Sequence, residues 1–75
     1  MKAILEFNLP EDTIEYLVAS RAMDWAFAVY DFDQQIRNRI KYEDLPPSYV
    51  EALEYARKEL FDMMEYHGVC FDDLE

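Results

Sequence analysis

The longest periodic stretch of the chain predicts a helix that is apolar on two sides. At about 100° per residue, one stripe of apolar side chains comprises Ile14, Leu17, Val18, Trp25, Val29, Phe32, Ile36 and Ile40. A second stripe on the opposite side comprises Tyr16, Met23, Phe27 and Tyr30. A helix with two apolar sides must be covered on both, and a chain of 75 residues has little else to cover it with. We therefore expect self-association through the second stripe, or a protein partner.

The segments on either side of this helix define the rest of the predicted fold. Residues 2–9 alternate apolar and polar side chains, with Ile4 as the exception. This pattern is typical of a β-strand with one covered face, which we predict over 1–9. The alternative is an extended arm that lies on the helices. A strand needs a neighbour for its backbone groups, either the tail around Val69 or the same strand of a second copy.

Proline and glycine set the helix boundaries. The first helix is predicted over 10–42, either continuous or kinked near 20–24, and ends before Pro46. The second helix covers 47–67 with Gly68 as its stop, and 68–75 form an acidic tail. The prediction is a single, mainly α domain: a strand or arm, then an antiparallel two-helix hairpin, completed by oligomerisation. An α+β fold is the alternative.

The net charge of −10 is large for this length. It opposes direct binding to nucleic acid or to an anionic membrane, and it favours a basic protein partner or mimicry of a polyanion such as DNA. The ordinary alternative is that the acidic surface keeps the protein soluble. Residues 43–75 hold ten acidic side chains against two basic ones, so the second helix carries most of the charge. The candidate partner-binding residues are Glu51, Glu54, Asp62 and Glu65.

No arrangement of residues indicates catalysis, a cofactor or a metal. His67 and Cys70 form an H-x-x-C pair, but two ligands do not make a zinc site, and a histidine at a helix end commonly serves packing. The only glycine, Gly68, leaves no phosphate-binding loop, and the single cysteine leaves no internal disulfide. No apolar run is long enough to span a bilayer or to form a signal-peptide core. We expect a non-enzymatic protein of the cytoplasm.

Two segments carry a resemblance to a known group of proteins. The opening MKAILEFNLPED and the later DFDQQIRNRIKYED, which includes an Arg-x-x-x-Lys-Tyr pattern from Arg37 to Tyr42, resemble a widespread family of small acidic proteins of tailed bacteriophages and prophages. The resemblance is specific over the first twelve residues and looser in the second helix. It implies a phage origin and a site of action in the cytoplasm of an infected bacterium, and it transfers no catalytic residue.

These observations lead to one hypothesis of function and one alternative. The hypothesis is a phage-encoded, self-associating inhibitor that blocks a host anti-phage defence protein or a host nucleic-acid-handling protein. That step rests on analogy with other small acidic phage proteins. The alternative is an accessory or structural small oligomer of the phage without a host target.

Overall fold

The computed structural model describes residues 1–74, and three α-helices dominate them. These are α1 (Thr13–Ser20), α2 (Ala22–Tyr42) and α3 (Pro47–Tyr66), followed by a short 3₁₀ helix, Phe71–Leu74. The prediction of a mainly α, hairpin-like architecture is confirmed. Residues 1–74 contain no β-strand, so the predicted N-terminal strand is not found. The tail offered as its pairing neighbour forms the 3₁₀ helix instead, which leaves residues 1–7, here called the arm, without a strand to pair with.

Helix α1 begins three residues later than the sequence predicts. The segment before it is a hydrogen-bonded turn, in which the Asp12 carboxylate accepts from the Asn8 amide at 2.9 Å. The Asp12 amide in turn donates to the Asn8 carbonyl at 2.8 Å, and the Thr13 hydroxyl donates to the Pro10 carbonyl at 2.6 Å. Pro10 therefore lies in this turn rather than in the first turn of the helix.

The long helical segment is divided at Arg21, inside the interval where the kink is predicted. The Ser20 hydroxyl donates to the Leu17 carbonyl at 3.1 Å. Serine hydroxyls that bond back to the preceding turn in this way compete with the helical ladder and favour bends. Beyond the break, α2 runs to Tyr42, where the backbone turns extended at Glu43.

Helices α2 and α3 form the antiparallel hairpin. Ile36, near the end of α2, and Leu53, near the start of α3, line the same groove. Further along the pair, Asp33 bonds to Arg57. At the far end, the ring of Phe71 meets Tyr30 and Phe61. Gly68, with φ +73°, adopts the left-handed conformation that ends helices, as its position predicts.

The buried side of α2 is rotated from the predicted first stripe. Asp33 and Ile36 are buried, whereas Trp25 is 66% exposed and Phe32 is also exposed. The hairpin thus buries the side of α2 that contains Asp33, because this carboxylate bonds to α3. A helical wheel drawn on hydropathy places an aspartate in solvent, so it cannot give this rotation.

The molecule is elongated and leaves much apolar surface open. Its extents are 52 × 28 × 20 Å and its radius of gyration is 16.8 Å, against about 11 Å for a compact chain of this length. Its accessible surface is 6890 Å², roughly 2,000 Å² more than a compact monomer of this mass exposes. Each helix of the hairpin is only about 30 Å long, so the arm and α1 supply the remaining length.

Candidate protein-binding surfaces

The best-defined polar contact in the protein is an ion pair inside the hairpin. The Arg57 Nε donates to Asp33 Oδ1 at 2.8 Å, and its Nη2 donates to Asp33 Oδ2 at 3.2 Å. Asp33 is 1% exposed, while the Arg57 side chain is 26% exposed. The Gln34 amide adds a longer bond to Asp33 Oδ2 at 3.4 Å. A two-pronged contact of this kind fixes direction as well as distance, so it sets the rotation and register of α3 on α2.

This pair also favours the charged form of the guanidinium. The hydrogen bond to Asp33 is the main cause that raises the pKa of Arg57 above its usual value, with a smaller contribution from the charge of Glu54. Because the pKa of Arg57 is raised, its guanidinium keeps its positive charge at every pH below that pKa. The guanidinium therefore stays protonated under all ordinary conditions and supplies no proton to a reaction.

The predicted self-association residues have unequal surroundings. Tyr16, Met23 and Phe27 are exposed, although Tyr16 meets Phe7 of the arm edge-on at 5.8 Å. Tyr30 is half-buried, because the Phe71 ring covers it edge-on at 5.2 Å. The chain's own tail thus shields one end of the second stripe, and Met23 and Phe27 remain open.

The first stripe is also largely open, which its sequence pattern does not indicate. Helix α3 and the tail lie along α2. Among residues 1–74, α1 contacts no helix other than α2, and no side chain of α1 is buried. Of the apolar residues in this stripe, those exposed are Ile14, Leu17, Val18, Trp25 and Phe32. Phe32 also lines an apolar groove between the helices with Leu45, Tyr49 and Leu53. The open apolar surface is therefore larger than the second stripe alone.

The four predicted partner-binding acids lie on the outer face of α3. Glu51, Glu54, Asp62 and Glu65 are all exposed and fall within about 80° of one another around the helix axis. Lys58 sits among them and donates to Asp62 at 2.9 Å, which raises the pKa of Lys58. The sequence favours Glu54 as the partner of Lys58, but the lysine bonds to Asp62 instead. One acid of this face is thus locally neutralised, and the other three have no ion-pair partner among residues 1–74.

The described residues contain no cluster of side chains that could bind a metal ion. Within residues 1–74, no three His, Cys, Asp or Glu side chains lie close enough together to hold a metal ion, and His67 and Cys70 are both exposed. No helix in that part of the chain is long and apolar enough to cross a bilayer.

Sequence reasoning missed the two residues that organise the hairpin. The predicted apolar stripes include neither Asp33 nor Arg57, and the basic residue noted among the acids of the second helix is Lys58. The predicted apolar stripe of α3 contained Tyr49, Leu53, Ala56, Leu60, Met63 or Met64, and His67. The face that packs is turned toward Val50, Leu53, Arg57, Leu60 and Met64, each at least half-buried. The available signal was the spacing along the chain. When the turn of an antiparallel hairpin covers 43–46, residue 33 lies opposite residue 57.

Comparison with known proteins found no match: no family model, no curated protein and no solved structure matches this chain.

Proposed function

We propose that this protein is a non-enzymatic, phage-encoded binding protein that self-associates through its open apolar surface and blocks a host protein with a basic surface. Its host target belongs to anti-phage defence or to nucleic-acid handling, and its site of action is the cytoplasm of the infected bacterium. The phage origin rests on the resemblance at 1–12 and 31–44. The choice of target class rests on analogy with other small acidic phage proteins.

The observation that carries the proposal is the open apolar surface of α1 and α2. Soluble monomers rarely expose large contiguous apolar patches, and such patches commonly mark protein interfaces. Here Phe27 stands open beside Met23 on the second stripe, and Trp25 stands open on the first stripe. Aromatic residues are the ones enriched at interface hot spots. The excess of roughly 2,000 Å² counts polar and apolar surface together over the whole molecule, and a standard interface buries about 800 Å² of each partner.

The acidic face of α3 supports the second half of the proposal. It points away from the hairpin contact, so a target can reach it without displacing the fold. Exposed charges of one sign attract an oppositely charged protein over distance and raise the association rate. A row of carboxylates can also imitate the phosphates that a nucleic-acid-handling protein binds.

Capture from bacterial lysate with a charge-reversed variant tests the target-binding half. The probe is the full chain, and the variant is Glu51→Lys with Glu54→Lys. The matched control is Glu11→Lys with Asp31→Lys, which changes the net charge equally at exposed positions outside α3. We expect the parent and the control to retain a stoichiometric host protein that the α3 variant loses. A host protein retained equally by all three contradicts the assignment of the acidic face. Capture of phage proteins alone, or of none, favours the accessory role.

A further inference from the structure

We infer that the arm of one copy pairs with the arm of a second copy as an antiparallel two-stranded ribbon whose two-fold axis passes through Ile4. The inference deepens the self-association in the proposed function and rests on it. It names a second interface, separate from the open surface of α2.

The arm is held in place where it joins the turn that begins at Asn8, and its other end is exposed. At its base, Asn8 is held to Asp12 by two hydrogen bonds, and the Phe7 ring packs on Tyr16. Beyond this base, Ile4 is 83% exposed and Leu5 is 78% exposed. No hydrogen bond joins residues 1–7 to any other described residue. The backbone groups of an alternating, strand-like segment are therefore available to another strand.

The arm's sequence is complementary to itself in one antiparallel register. When Ile4 faces Ile4 of the second copy, Lys2 lies directly opposite the second copy's Glu6, and Glu6 lies opposite the second copy's Lys2. Opposite charges in directly facing positions stabilise an antiparallel pair. The other side of the ribbon pairs Ala3 with Leu5 and Met1 with Phe7, so it is entirely apolar. Asn8, whose hydrogen bonds are already used, falls just outside the paired segment.

Other arrangements of two arms lose this match. In-register parallel pairing sets Lys2 against Lys2 and Glu6 against Glu6, which is unfavourable. A shift of the antiparallel register by one residue moves side chains to the wrong face of the strand. A shift by two residues places Ile4 opposite Glu6 or Lys2. The charge pattern thus favours one register.

The apolar side of the ribbon has a surface on which to rest. A two-stranded ribbon is marginal alone and needs a packed face. Phe7, on this apolar side, already contacts α1 at Tyr16. Tyr16 itself remains 43% exposed. Pairing of two arms therefore adds apolar cover on the side of α1 that carries Tyr16, and a foreign sheet edge would not supply the reciprocal charges.

Charge reversal within the arm tests the register. Lys2→Glu alone and Glu6→Lys alone each turn both facing pairs into like-charge pairs, whereas an equimolar mixture of the two variants restores both pairs in a heterodimer. Matched controls are Lys41→Glu and Asp44→Lys, exposed residues outside the arm with the same changes in net charge. The measurement is the dissociation constant by sedimentation equilibrium at low ionic strength, with circular dichroism to show that each variant is folded.

We expect each arm variant to dissociate roughly tenfold more readily than its control, since two favourable pairs become unfavourable. The mixture should return to the parent value. Recovery in the mixture is the decisive result, because Glu6→Lys lowers the net negative charge and would otherwise favour association. If the parent dimerises but the arm variants match their controls, or if the mixture stays as weak as its components, the ribbon is wrong while self-association through α2 stands. A parent that remains monomeric overturns both forms of self-association, and the lysate capture still reports separately on α3.

Discussion

Replacing Arg57 should lower the free energy of unfolding more than removing the charge of its partner, Asp33. Asp33 is 1% exposed, and its two oxygens receive both prongs of the guanidinium. In Arg57→Met the carboxylate stays buried without its counter-charge, and breaking a buried pair in this way costs about 3–5 kcal/mol. Arg57 is 26% exposed at its side chain, so some water can reach the site. We expect a loss near the lower limit, about 3 kcal/mol.

The reciprocal change should be milder. Asp33→Asn keeps the shape of the side chain and one hydrogen-bond acceptor, and the remaining arginine is exposed enough to be hydrated. We expect a loss of about 1–1.5 kcal/mol, typical of a weakened hydrogen bond to a charged group. The double variant Asp33→Leu with Arg57→Met replaces the pair by apolar side chains, and it should lie within about 1 kcal/mol of the parent.

The assay is urea unfolding followed by far-ultraviolet circular dichroism. All variants must be compared at one protein concentration, because self-association would add to the apparent stability. A domain of this length has about 4–11 kcal/mol in total, so the Arg57→Met loss is readily measured. The reasoning is refuted if Arg57→Met lies within about 0.5 kcal/mol of the parent, or if Asp33→Asn is the more damaging change.

Two further perturbations separate the interface from the fold. Phe27→Glu alters an exposed residue of the second stripe and should raise the dimer dissociation constant at least about tenfold, with little change in unfolding at low concentration. Sedimentation equilibrium measures this, and an unchanged constant would remove Phe27 from the interface. Phe71→Ala removes the half-buried ring that meets Tyr30 at 5.2 Å and Phe61 at 5.7 Å. It should cost about 2 kcal/mol in urea unfolding, less than the 3–5 kcal/mol of a fully buried ring. A loss below about 0.5 kcal/mol would mean that the tail does not hold Tyr30.

The helical content and the ends of the hairpin were predictable from local chemistry. Pro46 and Pro47 separate two periodic segments, and Gly68 supplies the left-handed residue at the end of α3. Such signals act within a few residues, so they can be read without knowledge of the tertiary structure. The Ser20–Leu17 bond at the break belongs to the same class.

The rotation of the helices was not predictable in this way. It depends on Asp33 and Arg57, which are 24 residues apart in sequence, and hydropathy assigns both to the surface. The predicted first stripe therefore includes Phe32, which is exposed, and leaves out Asp33, which is buried. The predicted N-terminal strand is not found for a related reason. Alternating apolar and polar side chains show that a segment can pair as a strand, but they do not show that another strand lies beside it.

The candidate binding residues followed from the sequence only in part. The acidic face of α3 needs nothing beyond helical spacing, and all four of its acids are exposed. The second stripe is predicted as a self-association surface, yet Phe71 of the tail covers Tyr30. That contact joins residues 41 positions apart, and no local pattern gives it.

The solution mass of the parent protein as a function of concentration tests the central claim most directly. The claim is that a 9.0 kDa chain with this much open apolar surface does not remain alone. Sedimentation equilibrium from low micromolar to millimolar concentration should show a reversible rise to at least twice the chain mass. A mass of 9.0 kDa throughout that range, with the helical circular dichroism of a folded protein, would contradict it.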